Sequence, residues 1–206
     1  MVANILTDRE GTVNPANAAG MANKKEVRSL YKERRNGMLP GQVEDLSARI
    51  CQNILRSRLF DSARFLYAYY PLGNEADVRP VIQEAWRQGK RVAFPKVFGN
   101  KMRFFEVTGF EQLSEGTFGV MEPCEEKPAD WRSGKKLLVL TPGVAFDYQG
   151  NRMGFGKGYY DRHFSGKRDY MMLGVSYELQ IAEQIPTGDF DVPMKWIVTE
   201  NGLTEV

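Results

Sequence analysis

The stretch GNRMGFGKGYYD, residues 150–161, gathers more reactive chemistry than any other part of the sequence. Gly154, Gly156 and Gly158 alternate along it, a pattern that allows positive φ angles and close approach of the backbone to a ligand. Arg152 and Lys157 bring two cations to the same loop, and that combination suits polyphosphate. It is not a Walker A loop, because Gly158 stands where a hydroxyl should follow Lys157, and it is not G-x-G-x-x-G either. A helix starting after Gly158 would aim backbone N–H groups at an anion. The bland alternative is a surface turn carrying two solvated cations.

A phosphate loop needs a sheet behind it, and the apolar pattern supplies one. Residues 137–141 (LLVLT) read as a strand that ends in Pro142 and feeds the glycine-dense loop 142–158. Residues 64–70 (RFLYAYY) and 91–94 (RVAF) read as two more strands, closed by Pro71 and Pro95, with a helix around Val78, Val81, Ile82, Ala85 and Trp86 between them. Met102–Val107, Met171–Tyr177 and Trp196–Thr199 complete the strand candidates, and Glu178–Gln184 reads as a short helix. Ahead of the sheet, Val27, Leu30 and Tyr31 mark a basic helix from Lys24 to about Gly37, and an apolar stripe from Val43 to Leu59 marks a second. Residues 110–134 show no assignable period. Alternating helices and near-continuous apolar strands imply an α/β fold with a mostly parallel sheet covered on both faces. Ligands of such sheets bind beyond the carboxyl ends of strands, which points to residues 71–75, 95–96 and 142–158.

Composition narrows the function classes. The 206 residues suit a single α/β domain, with 42% hydrophobic and 12% aromatic residues, too much core-forming surface for a disordered chain. A net charge of +2 argues against a nucleic-acid backbone or an anionic membrane as the main partner. One histidine, His163, and two distant cysteines, Cys51 and Cys124, exclude a structural zinc site and a disulfide framework, in keeping with a reducing cytoplasm. No run approaches the roughly 20 apolar residues of a membrane span. Residues 1–22 lack periodicity and are expected to be a disordered extension to a domain spanning 23–206, with Met21 a candidate initiator.

The stretch TPGVAFDYQGNRMGFGKGYYDR, together with YYPLGNE, FPKV and KKEVR, resembles the 5-formyltetrahydrofolate cyclo-ligase (methenyltetrahydrofolate synthetase) family in order and spacing from about Lys24 to Glu200. The resemblance implies a three-layer α/β/α fold and closure of 5-formyltetrahydrofolate to 5,10-methenyltetrahydrofolate, using ATP and Mg²⁺ and releasing ADP and phosphate. It further implies a cytoplasmic enzyme, expected to be monomeric, with those two small molecules as its partners. Lys24, Lys25, Glu26, Val27 and Arg28 match the family's nucleotide-contacting K-x-x-x-R segment. Arg152, Met153, Gly154, Phe155, Gly156, Lys157, Gly158, Tyr159 and Tyr160 match its ATP loop, with Lys157 and Arg152 in the catalytic role. Asp161 and Asp191 are the metal candidates, and Glu75, with Tyr70 and Tyr159, the folate-contacting set. Phe190 and Lys195 depart from the family pattern, where histidine and aspartate are common.

Each role has a plainer alternative. Lys24 and Arg28 can form a solvated helix face, Glu75 can complement a helix dipole, Asp161 can pair with Arg162, and Asp191 can open a turn before Pro193. His163 has no expected catalytic part. A phosphosugar isomerase or acyl-transfer enzyme on the same fold would bind phosphate without nucleotide turnover, and a polynucleotide-binding module would use the basic helix.

Overall fold

The computed structural model describes residues 23–129, 131 and 136–206. The expectation for residues 1–22 lies outside them. Three helices lead the chain: α1 (Lys24–Asn36), α2 (Pro40–Leu55) and α3 (Arg58–Ser62). The apolar stripe 43–59 is therefore two helices, because Ser57 takes extended backbone and its hydroxyl accepts the Phe60 N–H as an N-cap. Then come β1 (Phe65–Tyr67), α4 (Arg79–Arg87), β2 (Arg91–Phe98) and β3 (Lys101–Glu106). Within the unassigned excursion, β4 (Leu113–Glu115) and β5 (Met121–Pro123) form a hairpin. After it come β6 (Leu137–Thr141), β7 (Ala145–Asp147), β8 (Arg152–Met153), α5 (Tyr159–Phe164), β9 (Tyr170–Val175), β10 (Ile181–Ala182), β11 (Trp196–Thr199) and β12 (Gly202–Glu205).

The main sheet runs β12-β11-β9-β6-β1-β2-β3. Its inner pairs are parallel, whereas β3 and β12 pair antiparallel at the two edges. From β1 the chain progresses one way, to β2, and from β6 the other way, to β9 and β11, so the topological switch lies between β1 and β6. Period-two alternation assigns the faces. Leu66, Leu138 and Leu140 pack under α2 and α4 with Ile50, Ile54, Val81 and Ile82, while Phe65, Tyr67, Leu137 and Val139 pack with Phe146, Phe164 of α5 and Met194. Full burial of side chains such as Ile54 and Ile82 contributes about 1.5–3 kcal/mol each. The result is the expected three-layer α/β arrangement.

Several boundaries differ from the sequence pattern for identifiable reasons. β2 continues past Pro95 because β1 stops at Tyr67, so from Phe94 onward β2 has only β3 beside it and the absent proline N–H costs no ladder bond. The segment read as helix 178–184 is a single 3₁₀ turn, Glu178–Gln180, that passes into β10. Within the glycine-dense loop, β7 and β8 join β10 in a small sheet. Against that sheet α1 buries Val27 and Tyr31, in a cluster with Val144, Ala145, Met153, Ala182 and Ile185.

Candidate active site

A cavity of about 530 Å³ opens beyond the carboxyl ends of β1 and β6, at the switch point. Tyr69, Tyr70, Leu72 and Glu75 enter it after β1, and Pro142 enters it after β6. The glycine loop contributes every residue from Arg152 to Asp161, α1 contributes Lys24 and Arg28, and the 186–191 turn contributes Pro186 and Asp191. The sequence signals 24/28, 70–75, 152–161 and 191, spread over the chain, thus converge on one space.

Local chemistry explains how the loop holds its shape. Gly156 (φ 94°) and Gly158 (φ 62°) occupy left-handed backbone around Lys157, and α5 begins directly after Gly158, as expected. Arg28 donates through Nε to the Gly154 carbonyl at 2.9 Å, which ties α1 to the loop. The two cavity-lining positions of α1, Lys24 and Arg28, are four residues apart and lie on one helix face. Of the other residues assigned to nucleotide contact there, Lys25 and Glu26 are exposed and Val27 is core, and none of the three lines the cavity. Helical geometry separates them from the ends of the K-x-x-x-R segment.

Arg152 is the most constrained cation. Its side chain is 5% exposed, donates from Nη2 to Asp161 Oδ1 at 2.9 Å, and places its guanidinium 5.4 Å from the Tyr160 ring centroid. Its Nε is buried without a hydrogen-bond acceptor among the described residues, and so is the Tyr160 hydroxyl. Burial pushes the Tyr160 phenol well above its usual range, so it stays a neutral donor at physiological pH. Both residues line the cavity, and each carries a buried donor that the described residues leave without an acceptor.

The carboxylates fall into two groups. Asp161 accepts Arg152 and the Val192 N–H, both on Oδ1, and Asp191 accepts Lys24 Nζ at 2.7 Å and the Gly188 N–H on Oδ2. In each case the second oxygen retains acceptor capacity, and the pairing of Asp161 is with Arg152 rather than Arg162. Hard oxygen donors of this kind beside cationic side chains fit Mg²⁺, which takes one or two carboxylates and completes its shell with phosphate and water. Among the described residues no three acidic, histidine or cysteine side chains cluster as a self-sufficient metal cage.

Glu75 is different: 6% exposed, it faces Arg35 at 3.5 Å and accepts the Leu72 N–H at 3.1 Å. Burial raises its pKa, opposed by the Arg35 guanidinium and the hydrogen bonds. Arg35 itself is buried at the end of α1, donates to the Gly143 carbonyl at 3.4 Å and lies 5.6 Å from the Phe155 ring centroid. Tyr70 and Tyr159 both line the cavity; the Tyr159 hydroxyl donates to the Gly99 carbonyl and so fastens the glycine loop to the β2–β3 turn. His163 lies outside the lining. Its Nδ1 faces the Met102 carbonyl at 2.8 Å, consistent with a neutral ring donating there, and burial lowers its pKa to about 4.

Pattern reading missed one wall altogether. Val97 and Met102 from the β2–β3 hairpin and Thr117, Val120 and Glu122 from the β4–β5 hairpin line the cavity. No sequence period announces the residues of the β4–β5 hairpin, since those two strands have three residues each.

Known proteins resemble this chain in sequence and fold. The chain is 24% identical over 181 residues to the 5-formyltetrahydrofolate cyclo-ligase of Escherichia coli K12, with 85% of this chain and 100% of the relative covered. The solved structure of Aquifex aeolicus 5,10-methenyltetrahydrofolate synthetase superposes with a TM-score of 0.78 at 31% identity, covering 88% of this chain and 92% of the other. A Mycoplasma pneumoniae 5,10-methenyltetrahydrofolate synthetase, 22% identical, shares the fold with a TM-score of 0.66 over 86% of this chain and 99% of the other. The model of the 5-formyltetrahydrofolate cyclo-ligase family matches residues 20–200. With that span matched and a site assembled at the switch point of the sheet, the chain belongs to the 5-formyltetrahydrofolate cyclo-ligase family.

Proposed function

We propose that the protein is an ATP-dependent ligase that cyclises 5-formyltetrahydrofolate to 5,10-methenyltetrahydrofolate, with Mg²⁺ as its metal. The observation that carries this reading is the single cavity lined by Lys24, Arg28, Arg152 and Lys157 together with aromatic and carboxylate side chains. Such a lining provides for a polyphosphate and a flat, nitrogen-rich ring system in one space.

The chemistry requires both ligands. A formamide oxygen is a poor leaving group, so its carbon resists attack until that oxygen becomes part of a phosphate. The N5-formyl oxygen attacks the γ-phosphorus of ATP; the new O–P bond forms as the bond to the bridging oxygen breaks, and ADP departs. N10 then attacks the activated carbon within the same molecule, loses its proton, and phosphate leaves with the former formyl oxygen to give the methenyl cation. Lys157 and Arg152 stabilise the charge on the transferring group, and the cavity walls hold the two substrates in line. Mg²⁺, when bound, would neutralise phosphate charge beside Asp161 and Asp191. Tyr70, Glu75 and Tyr159 belong to the folate side, and Lys24 and Arg28 to the nucleotide side. The same reading makes residues 23–206 one catalytic domain and the protein a cytoplasmic monomer. No described helix is long and apolar enough to cross a membrane.

Incubation with 5-formyltetrahydrofolate and MgATP should produce the methenyl chromophore and stoichiometric ADP. ADP formation indifferent to the folate, or no chromophore, would refute the reading. The metal roles are also ranked: Asp161→Asn should raise the Mg²⁺ concentration for half-maximal rate more than Asp191→Asn, because Asp161 is less exposed and sits within the glycine-loop network. Titration of both variants in the reverse order would overturn that ranking.

A further inference from the structure

Glu122 lies on β5, in the part of the chain without sequence signals, yet it lines the cavity and is only 6% exposed. Its Oε1 accepts the Val97 N–H at 3.2 Å. No Lys or Arg pairs with it among the described residues, unlike Glu75, whose two oxygens are already taken by Arg35 and the Leu72 N–H. A carboxylate placed this deeply with a single backbone donor has most of its acceptor capacity unused. Its neighbours in the lining, Val97, Met102 and Val120, are apolar, so solvent is a poor substitute for a missing partner.

The hairpin is shaped around this side chain. A Cβ added at Gly116 would stand 2.4 Å from Glu122 Oε2, and the Gly116 N–H donates to the Val120 carbonyl at 2.8 Å. Glycine at 116 thus lets the carboxylate tuck against the turn of its own hairpin. The same Cβ would stand 2.6 Å from Cδ and 2.8 Å from Cγ of Glu122, so an alanine there must displace the whole end of the glutamate side chain.

We infer that Glu122 is a specificity-determining residue of the folate pocket, accepting N–H groups from the amino-pyrimidine edge of the substrate's ring. This assignment rests on the proposed cyclo-ligase activity. The 2-amino group and the adjacent ring N–H present two donors side by side, the geometry that one carboxylate accepts most strongly. The apolar residues around Glu122 would cover the ring faces, while the cationic residues of α1 and the glycine loop serve the nucleotide.

The test is direct binding and steady-state kinetics on the full chain with Glu122→Gln. Loss of one charge-assisted contact should weaken 5-formyltetrahydrofolate about 10- to 100-fold, read as Kd and KM, with the KM for ATP and the melting temperature nearly unchanged. A 2-desamino analogue of the substrate should bind the wild type poorly and lose little more in the variant, a coupling that a purely structural glutamate would not produce. Gly116→Ala supplies a second route: charge is retained but displaced, so folate KM should rise several-fold while ATP KM holds. If the wild type turns over 5-formyltetrahydrofolate and either well-folded variant binds it within about threefold of wild type, Glu122 does not read the substrate. Equal weakening of folate and ATP would also overturn the assignment. A wild type inert toward this folate would instead bring down the activity on which the assignment depends.

Discussion

Replacing Arg35 with methionine should destabilise the protein by about 3–5 kcal/mol at neutral pH, the usual penalty for removing one partner of a buried ion pair. Arg35 and Glu75 are both nearly inaccessible, with side-chain exposures of 5% and 7%. Methionine roughly keeps the aliphatic volume, so what disappears is the counter-charge, the hydrogen bond to Gly143 and the contact with Phe155. The pH dependence identifies the cause. Burial already raises the Glu75 pKa, and Arg35 is the main influence opposing that rise. Without Arg35 the rise must be larger. An acid whose folded-state pKa exceeds its unfolded value contributes stability that is complete below the unfolded pKa and is lost as pH rises through the folded one. The variant should therefore lie nearest to wild type around pH 5 and fall further below it toward pH 8 in urea unfolding experiments. Adding Glu75→Gln to Arg35→Met should recover much of the loss and flatten the pH difference. A penalty that is the same at both pH values would mean that Arg35 acts through packing alone.

This pair also shows where sequence reasoning stops. Arg35 closes a helix rich in Lys and Arg, and nothing local separates it from Arg34 beside it, which is not fully buried. Its burial is decided by Glu75, forty positions away, and by the approach of Gly143 after β6. By contrast, β6 was legible because a strand buried on both faces needs an uninterrupted apolar run, and residues 137–141 supply one. The glycine loop was legible because alternating glycines around a lysine serve few purposes in a packed domain, and here two of them adopt positive φ beside Lys157. The strands β7, β8 and β10 have two or three residues each, too few to show a period, and their buried side chains pack against α1 from far away in the chain. Glu122 was illegible for the same reason: a three-residue strand gives no pattern, and its significance lies in which cavity it faces. The segment 24–28 illustrates an intermediate case, in which the motif was visible but only helical geometry separates the cavity-lining residues, Lys24 and Arg28, from Lys25, Glu26 and the core residue Val27.

Lys157→Ala should reduce turnover by about 10²- to 10³-fold, the loss seen when one preorganised electrostatic donor is removed from a transition state. The fold should barely register the change. Lys157 is exposed and belongs to no helix or strand, and the left-handed geometry on either side is provided by Gly156 and Gly158, which remain. The neighbouring cation cannot take its place: Arg152 is held by Asp161 and by the face of Tyr160, so its reach is fixed. In the proposed transfer the reacting group gathers charge as the formyl oxygen displaces ADP, and Lys157 brings a cation to the cavity lining where that charge develops. The deficit should consequently appear in kcat at saturating MgATP and saturating folate rather than in KM alone. Arginine at 157 should restore only part of the rate, because the planar guanidinium cannot reproduce a compact charge at that spot. If Lys157→Ala keeps its kcat within about threefold of wild type, Lys157 does not stabilise the transferring phosphoryl group, and that charge must be met by Arg152 or by Arg28 and Lys24 on α1.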